Sequence, residues 1–323
     1  MGEAKKKRRE CPAVGRAITG QECGQNRGNQ YACPGDCPHW PFSVQSYDAF
    51  LEIEGKFDDQ LTGACLRLRG PDVFGPKSMG QPADELEFNA LMCWKMFYER
   101  DGGGRTLIEQ WEAEGWPGLS NDGRYLMRHH RGIRPGILEV RRRLGEGITE
   151  VVEVLRSGVS EPFLLCDYGM ARHARRFGCF LGWFYRMPSF GRFKGAAMDI
   201  TAVGDWDAGE ALERLAEING APAGGGEEWH IWLARYFCEI SGLLQTHQRQ
   251  AHQVTLASMD ARQVRRRYRI VSGRKVLVED LGAQLAGRGD RSGGIGAGGF
   301  GGPCLGGARG GTGGRRAAAQ GKP

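Results

Sequence analysis

The chain of 323 residues lacks the features that would place it in a membrane or in a secretory pathway. It contains no run of about 18 consecutive apolar residues, the length that a transmembrane helix needs. The basic N-terminal stretch MGEAKKKRRE is not followed by the apolar segment of a signal peptide. We therefore expect a cytoplasmic protein with no membrane partner, in which the ten cysteines are reduced thiols or metal ligands.

The chain also lacks the short motifs of common nucleotide-binding and hydrolytic enzymes. It has no GxGxxG followed by an acidic residue, no GxxxxGK[ST], no GxSxG and no HExxH. A metal-dependent hydrolase or nuclease is an alternative, because strand-end carboxylates such as Asp167 and Asp199 can hold a divalent ion, with Asp205 and His173 nearby in sequence. Acidic residues at strand ends are also ordinary turn formers, so no catalytic site is assigned.

The composition is that of a folded protein with a mild basic bias. Apolar residues make up 40% of the chain and charged residues 25%, which fits a globular core. The formal net charge of +6 favours acidic partners but is smaller than that of dedicated nucleic-acid-binding proteins. The 52 glycines exceed ordinary usage, so part of the chain is expected to lie outside any core.

The order of the sequence patterns predicts an α+β protein in which a Cys-rich segment and a helical segment precede a mixed β-sheet with helices. The C-terminal region is Gly- and Arg-rich with few large apolar residues, so it is predicted to be disordered. The predicted regions are a basic arm at 1–10, a metal-binding module at 11–45, a helical region at 46–130, an α+β domain at 131–286 and a disordered Gly-rich tail at 287–323.

Periodicity predicts the elements within these regions. Helical spacing of apolar residues predicts helices from Leu86 to Tyr98, behind Pro82, and from Thr106 to Glu114. One long helix is predicted from Trp229 to Leu244, and a short one around Leu215. Alternation and β-branched residues predict strands, of which the first two form a hairpin through a Leu-Gly-Glu-Gly turn. The predicted strands are Leu138 to Val140, Ile148 to Leu155, Phe163 to Cys166, Phe180 to Tyr185, Ala197 to Thr201 and Val264 to Val271.

Four cysteines in the N-terminal segment have the chemistry of a metal site. A Gly or Pro follows each of them, which supplies the tight turns that converging thiolates need. Four thiolates close the coordination sphere of Zn²⁺ and make such a site structural, although His39 could replace one of them. An iron–sulfur cluster and two disulfides remain alternatives. The predicted ligands are Cys11, Cys23, Cys33 and Cys37, whereas the predicted core cysteines are Cys65, Cys93, Cys166, Cys179 and Cys238.

The N-terminal motif resembles that of a known group of proteins. The N-terminal segment is similar to the first residues of proteins in an uncharacterised bacterial family with an N-terminal four-cysteine motif. The similarity lies in the segments CPAVGRAIT, ECGQNRG and YACPGDCPHWPF, followed by YDAFLEIEGKFD. That family loosely resembles SEC-C-type metal-binding proteins. The resemblance covers about the first 60 residues and implies metal binding by the same four cysteines, without implying a reaction.

A stretch of alternating cations and aromatic rings lies between residues 172 and 194. Arginine and lysine can contact phosphates while aromatic rings stack on bases, so this stretch is a candidate for nucleic-acid binding. A half-buried sheet, with its rings in the core and its cations in solvent, is the structural alternative. The candidate cations are Arg172, Arg175, Arg176, Arg186, Arg192 and Lys194, and a second basic run follows at Arg265, Arg266, Arg267 and Arg269.

The sequence as a whole favours a binding or adaptor protein with a structural zinc site. We expect the module to present Trp40 and Phe42 to a protein partner, because rigid aromatic residues are common anchors of interfaces. Alternatively, both rings cover the module against the first helix. Nucleic-acid binding is the first alternative function and a metal-dependent hydrolase or nuclease the second.

Overall fold

A computed structural model describes the fold for residues 8–82, 84–155, 158–201, 216–217, 220 and 227–261. The chain divides into two units, Met1–Arg274 and Lys275–Pro323, and every described residue belongs to the first unit. Three predictions lie outside the described residues: the short helix around Leu215 (only its neighbours 216–217 are described), the strand from Val264 to Val271 and the disordered tail at 287–323.

The N-terminal module contains regular structure that the sequence pattern did not predict. Strands β1 (Arg8–Cys11) and β2 (Arg16–Thr19) form an antiparallel hairpin, and helix α1 (Gly20–Asn26) follows directly. The Thr19 hydroxyl accepts a hydrogen bond from the Glu22 amide and caps this helix. These elements have four to seven residues, too few for a period of two or 3.6 to become visible.

The predicted helical region is confirmed. It contains α2 (Tyr47–Arg69), α3 (Pro76–Met79), α4 (Glu85–Phe97), α5 (Leu107–Ala113) and α6 (Asn121–His130). The start of α4 is set by Asp84, which accepts from the Glu87 amide, rather than by Pro82. Thr106 and Glu109 form a reciprocal capping box at the start of α5.

The predicted mixed sheet is also confirmed, but it closes on itself. Its strands are β3 (Arg134–Gly145), β4 (Ile148–Leu155), β5 (Gly158–Val159), β6 (Phe163–Cys166), β7 (Cys179–Arg186) and β8 (Gly191–Asp199), and helix α7 (Tyr168–His173) lies between β6 and β7. The expected strand from Ala197 to Thr201 was placed too late, because β8 begins at Gly191. Arg192 and Lys194, which are candidate nucleic-acid contacts by sequence, lie within that strand.

The strand order defines a five-stranded barrel. β3 pairs with both β4 and β7, β7 pairs with β8, and β4 pairs with β6, all antiparallel. A single parallel pair, Leu165 with Gly191, joins β6 to β8 and closes the circle. This order, with one helix between the third and fourth barrel strands, is the connectivity of the Greek-key barrel called the OB-fold. Connectivity alone does not assign a function.

The barrel has its own apolar interior, and α7 covers one end of it. Leu138 and Val140 of β3 face inward, while the intervening Glu139 faces outward, as strand alternation requires. Met170 of α7 enters the same cluster from the end. The buried interior residues are Leu138, Val140, Val151, Phe163, Leu165, Met170, Phe180, Phe184 and Phe193.

The helical layer packs on the outside of the barrel. α4 lies against β7 and β8, α6 lies against β7, and α8 (Glu227–Arg235) lies against β3. The long helix predicted from Trp229 to Leu244 is interrupted at Tyr236, where α9 (Phe237–Ala261) begins. None of the helices in the described ranges has the length and apolarity needed to span a bilayer.

Candidate metal centre and basic surface

The four predicted ligands come from three separate pieces of the module. Cys11 ends β1, Cys23 lies in α1, and Cys33 and Cys37 lie in the connection that follows. Tight turns surround them: the Gly15 amide donates to the Cys11 carbonyl at 2.8 Å, and the Cys37 amide donates to the Pro34 carbonyl at 3.1 Å. Pro12, Pro34 and Pro38 therefore belong to turns as the sequence indicated, whereas Gly24 lies inside helix α1.

All four cysteines line one cavity of about 10 Å³, together with Arg9 and His39. Cys11, Cys23 and Cys37 are buried, and Cys33 is partly exposed. Burial raises the pKa of the Cys33 thiol, and the neighbouring Cys23, Cys37 and Cys11 raise it further. Electrostatic coupling of one thiol to the other three agrees with their convergence on a shared space.

The side chains face a common cavity without forming an assembled coordination sphere. In the described part of the chain, no group of three or more His, Cys, Asp or Glu side chains is placed so that it could hold a metal ion as it stands. None of the nine cysteines within the described ranges forms a disulfide. The structural observation is therefore that the four cysteines line one cavity, and metal binding by them stays a prediction.

Polar contacts attach the module to α6. The Arg27 guanidinium donates to both carboxylate oxygens of Asp122, with Nε to Oδ1 at 2.7 Å, and a further nitrogen donates to the His39 carbonyl at 3.1 Å. The Asn121 amide donates to the Arg27 carbonyl at 2.7 Å. Gly28 has a φ of +65°, and a Cβ there would lie 2.7 Å from both the Trp40 and the Tyr125 rings. Only glycine fits this close approach.

The prediction that Trp40 and Phe42 are presented to a partner is wrong. Trp40 is 7% exposed and Phe42 is 1% exposed. The Phe42 ring lies 4.4 Å from that of Tyr125 on α6 and 6.4 Å from that of Phe50 on α2, measured between centroids. The two rings join the module to the helical layer, which is the alternative that the sequence left open.

The structure separates the six candidate nucleic-acid cations into three places. Arg172, Arg175 and Arg176 are exposed on α7 and on its connection to β7. Arg186 is exposed at the opposite end of β7, about 20 Å away along the strand, where its guanidinium lies 4.3 Å from the Phe163 ring centroid. The remaining two, Arg192 and Lys194, point from β8 towards α2.

Arg192 and Lys194 are engaged by carboxylates of α2. Arg192 Nε donates to Glu54 Oε2 at 2.6 Å, and Lys194 forms an ion pair with Asp58. The Tyr185 hydroxyl donates to the other Glu54 oxygen at 2.5 Å. Burial acts to raise the pKa of Glu54, but the charges of Arg192 and Lys194, together with the hydrogen bonds from Tyr185 and Arg192, outweigh burial and hold that pKa below its ordinary value. As placed, these two cations connect the barrel to the helical layer and are not available to a phosphate.

The strand-end candidates for a hydrolytic site act as local caps. Asp167 accepts from the Met170 amide at 2.8 Å and starts α7, and Asp199 accepts from the Thr201 amide at 2.9 Å. His173 is exposed at the end of α7. Asp205 lies outside the described residues. The turn-forming role that the sequence offered as an alternative accounts for both described carboxylates.

Three residues that the sequence did not single out for these sites are placed at them by the fold. Arg9 belongs to the predicted mobile arm but lies in β1 beside the four cysteines. Arg143 and Phe177 are both exposed near the α7 end of the barrel. A Phe-Gly pair after two arginines is a turn signal that local inspection could have found. Arg9 lines the same cavity as Cys33 and Cys37, which lie more than 20 residues away in sequence, so no local pattern could have placed it there.

Comparison of the chain with protein-family models, with curated proteins and with solved structures finds no match. Functional inference therefore depends on the residues and geometry described above.

Proposed function

We propose that the protein binds one zinc ion through Cys11, Cys23, Cys33 and Cys37, and that this ion holds the N-terminal module in shape. The convergence of all four thiols on one small cavity carries the proposal. A cavity of 10 Å³ is close to the space of a single water-sized sphere, so it suits one ion better than a multi-atom iron–sulfur cluster. Four thiolate ligands leave no open position, which makes the zinc structural rather than catalytic.

The orphaned polar atom of Arg9 supports this assignment. Its Nε is buried and has no hydrogen-bond acceptor, although buried polar groups are normally paired. Arg9 lines the cavity of the four cysteines, whose sulfur atoms become strong acceptors when they are thiolates. Four thiolates around Zn²⁺ carry a net charge of −2, and the Arg9 cation would offset part of it.

The small core of the module supports the same conclusion. Its own cluster of buried apolar residues consists of Cys11, Ile18 and Cys23. Segments of about 40 residues or fewer generally need a metal, a disulfide or a partner to stay folded. Thiolate ligands require reduced cysteines, so we place the protein in the cytoplasm.

As a class, the chain fits a binding or adaptor protein with a structural metal. The ion would fix α1 and the following connection, and with them the Arg27 and Asn121 contacts that attach the module to α6. Because Trp40 and Phe42 are buried in that attachment, any protein partner would have to bind elsewhere on the surface.

Elemental analysis of the purified full chain tests the proposal. We expect about one equivalent of zinc per chain, and its loss when Cys33→Ser and Cys37→Ser are combined. The matched control combines Cys179→Ser with Cys238→Ser, which removes two partly exposed thiols outside the module and should leave the zinc content unchanged. Zinc that persists in the Cys33/Cys37 variant, or its absence from wild type, would contradict the site. A brown protein that contains iron would indicate that the site holds an iron–sulfur cluster and not zinc.

A further inference from the structure

Four exposed arginines lie at the end of the barrel that α7 covers. Arg172 is on α7, Arg175 and Arg176 are on its connection to β7, and Arg143 is near the end of β3. This grouping differs from the stretch that the sequence indicated. It gains Arg143 and loses the distant Arg186, the ion-paired Arg192 and the ion-paired Lys194.

Backbone pairing brings these segments together. The Phe177 amide donates to the Val140 carbonyl at 2.7 Å, and the Val140 amide donates to the Gly178 carbonyl at 2.8 Å. Arg143 pairs with Thr149 across the sheet, so both side chains leave the same face of the sheet. The Thr149 hydroxyl lies 3.7 Å from the Met170 sulfur on α7, which places Arg143 on the α7 side of the barrel.

The four arginines have no carboxylate partner among the residues that the structure describes. Their neighbours on β3 differ in this respect, because Arg141 pairs with Glu139 at 2.9 Å and Arg142 pairs with Glu150 at 2.8 Å. Unpaired cations that share one surface produce a positive potential, which attracts polyanions. Of the six arginines at this end, Arg141 and Arg142 are therefore paired with glutamates, and the other four are not.

Phe177 adds an exposed aromatic ring to this surface. Its side chain is 55% exposed, and its φ of +63° is unusual for a bulky residue. Trp116, the other non-glycine residue with positive φ in the described ranges, packs against the helical core. Phe177 has no such packing to offset the strain, and residues in strained conformations cluster at functional sites. The Arg176 guanidinium lies 4.8 Å from the Phe177 ring centroid, so a cation and a ring are presented side by side.

We propose that this α7 end of the barrel, formed by Arg143, Arg172, Arg175, Arg176 and Phe177, binds single-stranded nucleic acid. The arginines would contact phosphates, and the ring would stack on an unpaired base, which a duplex does not expose. An acidic polypeptide would use the cations but would gain little from the ring. Helices pack against β7 and β8, so among the described residues of the barrel the exposed cations group at this end, with Arg186 alone at the opposite end of β7.

Binding of a fluorescent oligothymidylate of about 20 nucleotides to the full chain tests the proposal. Arg143→Gln, Arg172→Gln, Arg175→Gln and Arg176→Gln together should lower the slope of log affinity against log salt by about three units, since each single-strand phosphate contact contributes roughly 0.7. Phe177→Asn removes the ring but tolerates positive φ, and it should weaken binding by roughly tenfold, whereas Phe177→Tyr should restore it.

A matched control separates this surface from the second basic run. Arg265→Gln, Arg266→Gln, Arg267→Gln and Arg269→Gln remove the same charge outside the described residues and should leave the salt slope largely unchanged. The proposal is overturned if wild type does not bind at low salt, or if only this control loses the slope. Equal competition by polyglutamate, together with no effect of Phe177→Asn, would show an acidic-protein surface instead. Circular dichroism should show that all variants remain folded.

Discussion

The N-terminal module and the barrel are both small, but they are stabilised by different means. The barrel encloses nine buried apolar side chains, and hydrogen-bonded strands surround them on every side. The module has a cluster of three, two of which are cysteines. Where a cluster of buried apolar residues is this small, a metal or another cross-link is commonly needed for stability, and the zinc site proposed above would supply it.

The two regions also attach to the helical layer differently. The module is attached through rings and through the Arg27–Asp122 pair, whose side chains are 17% and 16% exposed. The barrel is attached through an ionic network whose most buried member, the Glu54 side chain, is 6% exposed, while its partner Arg192 is 21% exposed. A buried charge that loses its partner costs far more than an exposed one. The barrel attachment should therefore be sensitive to substitutions that leave Glu54 or its partner unpaired, whereas we expect the module to depend on the proposed zinc ion.

Removal of the metal should have the largest effect and should be confined to one region. A structural zinc ion contributes roughly 10–16 kcal/mol to isolated zinc-finger peptides, far more than a core of three residues can supply. We expect a chelator to abolish hydrogen-exchange protection in β1, β2 and α1 while β3 and β7 keep theirs. Loss of protection in both regions would show that the module and the barrel unfold together, and unchanged protection in the module would show that it folds without a metal.

Glu54→Gln should have the next largest effect, because it leaves the partly buried Arg192 cation without its main partner. We expect a loss of about 3–5 kcal/mol in the free energy of unfolding, measured by urea denaturation. Asp167 Oδ2 lies 3.6 Å from Arg192 Nη1 and remains as a partner in this variant, so we expect a loss near the lower end of that range. The double variant Glu54→Leu with Arg192→Met should lose less than the single variant, since no buried charge remains. Glu150→Gln, at the exposed pair with Arg142, is the control and should change stability little.

Local pattern was sufficient for much of the secondary structure. The helices from Leu107 and from Glu85 follow apolar spacing and nearby caps, and the β3–β4 hairpin follows alternation around a Gly-containing turn. The closure of the barrel could not be predicted in this way. It depends on a single parallel pair, Leu165 with Gly191, between strands that are separated by a helix and another strand.

The candidate sites also differ in whether local sequence was sufficient to predict them. The four cysteines were recognisable because their residue type and flanking turns are local, and the structure places all four at one cavity. The roles of Arg192 and Lys194 could not be recognised from the sequence, because their partners Glu54 and Asp58 lie 138 and 136 residues away. A run of cations has the same sequence pattern whether it faces solvent or an acidic helix, so the two environments can be distinguished only in the folded structure.

The smallest expected effect concerns pH, through His130 at the barrel attachment. This side chain is fully buried between Phe57 of α2 and Tyr185 of β7, and burial holds its pKa well below the ordinary value of 6.5. Below pH 6.5 the unfolded chain therefore binds a proton that the folded chain does not, so stability falls as the pH falls. Between pH 7 and 5.5 this histidine should remove about 1 kcal/mol. His130→Phe should lessen the decline of melting temperature over that range. If melting temperature falls equally with pH in wild type and in His130→Phe, His130 is protonated in the folded protein. The barrel attachment would then accommodate a buried positive charge, contrary to this prediction.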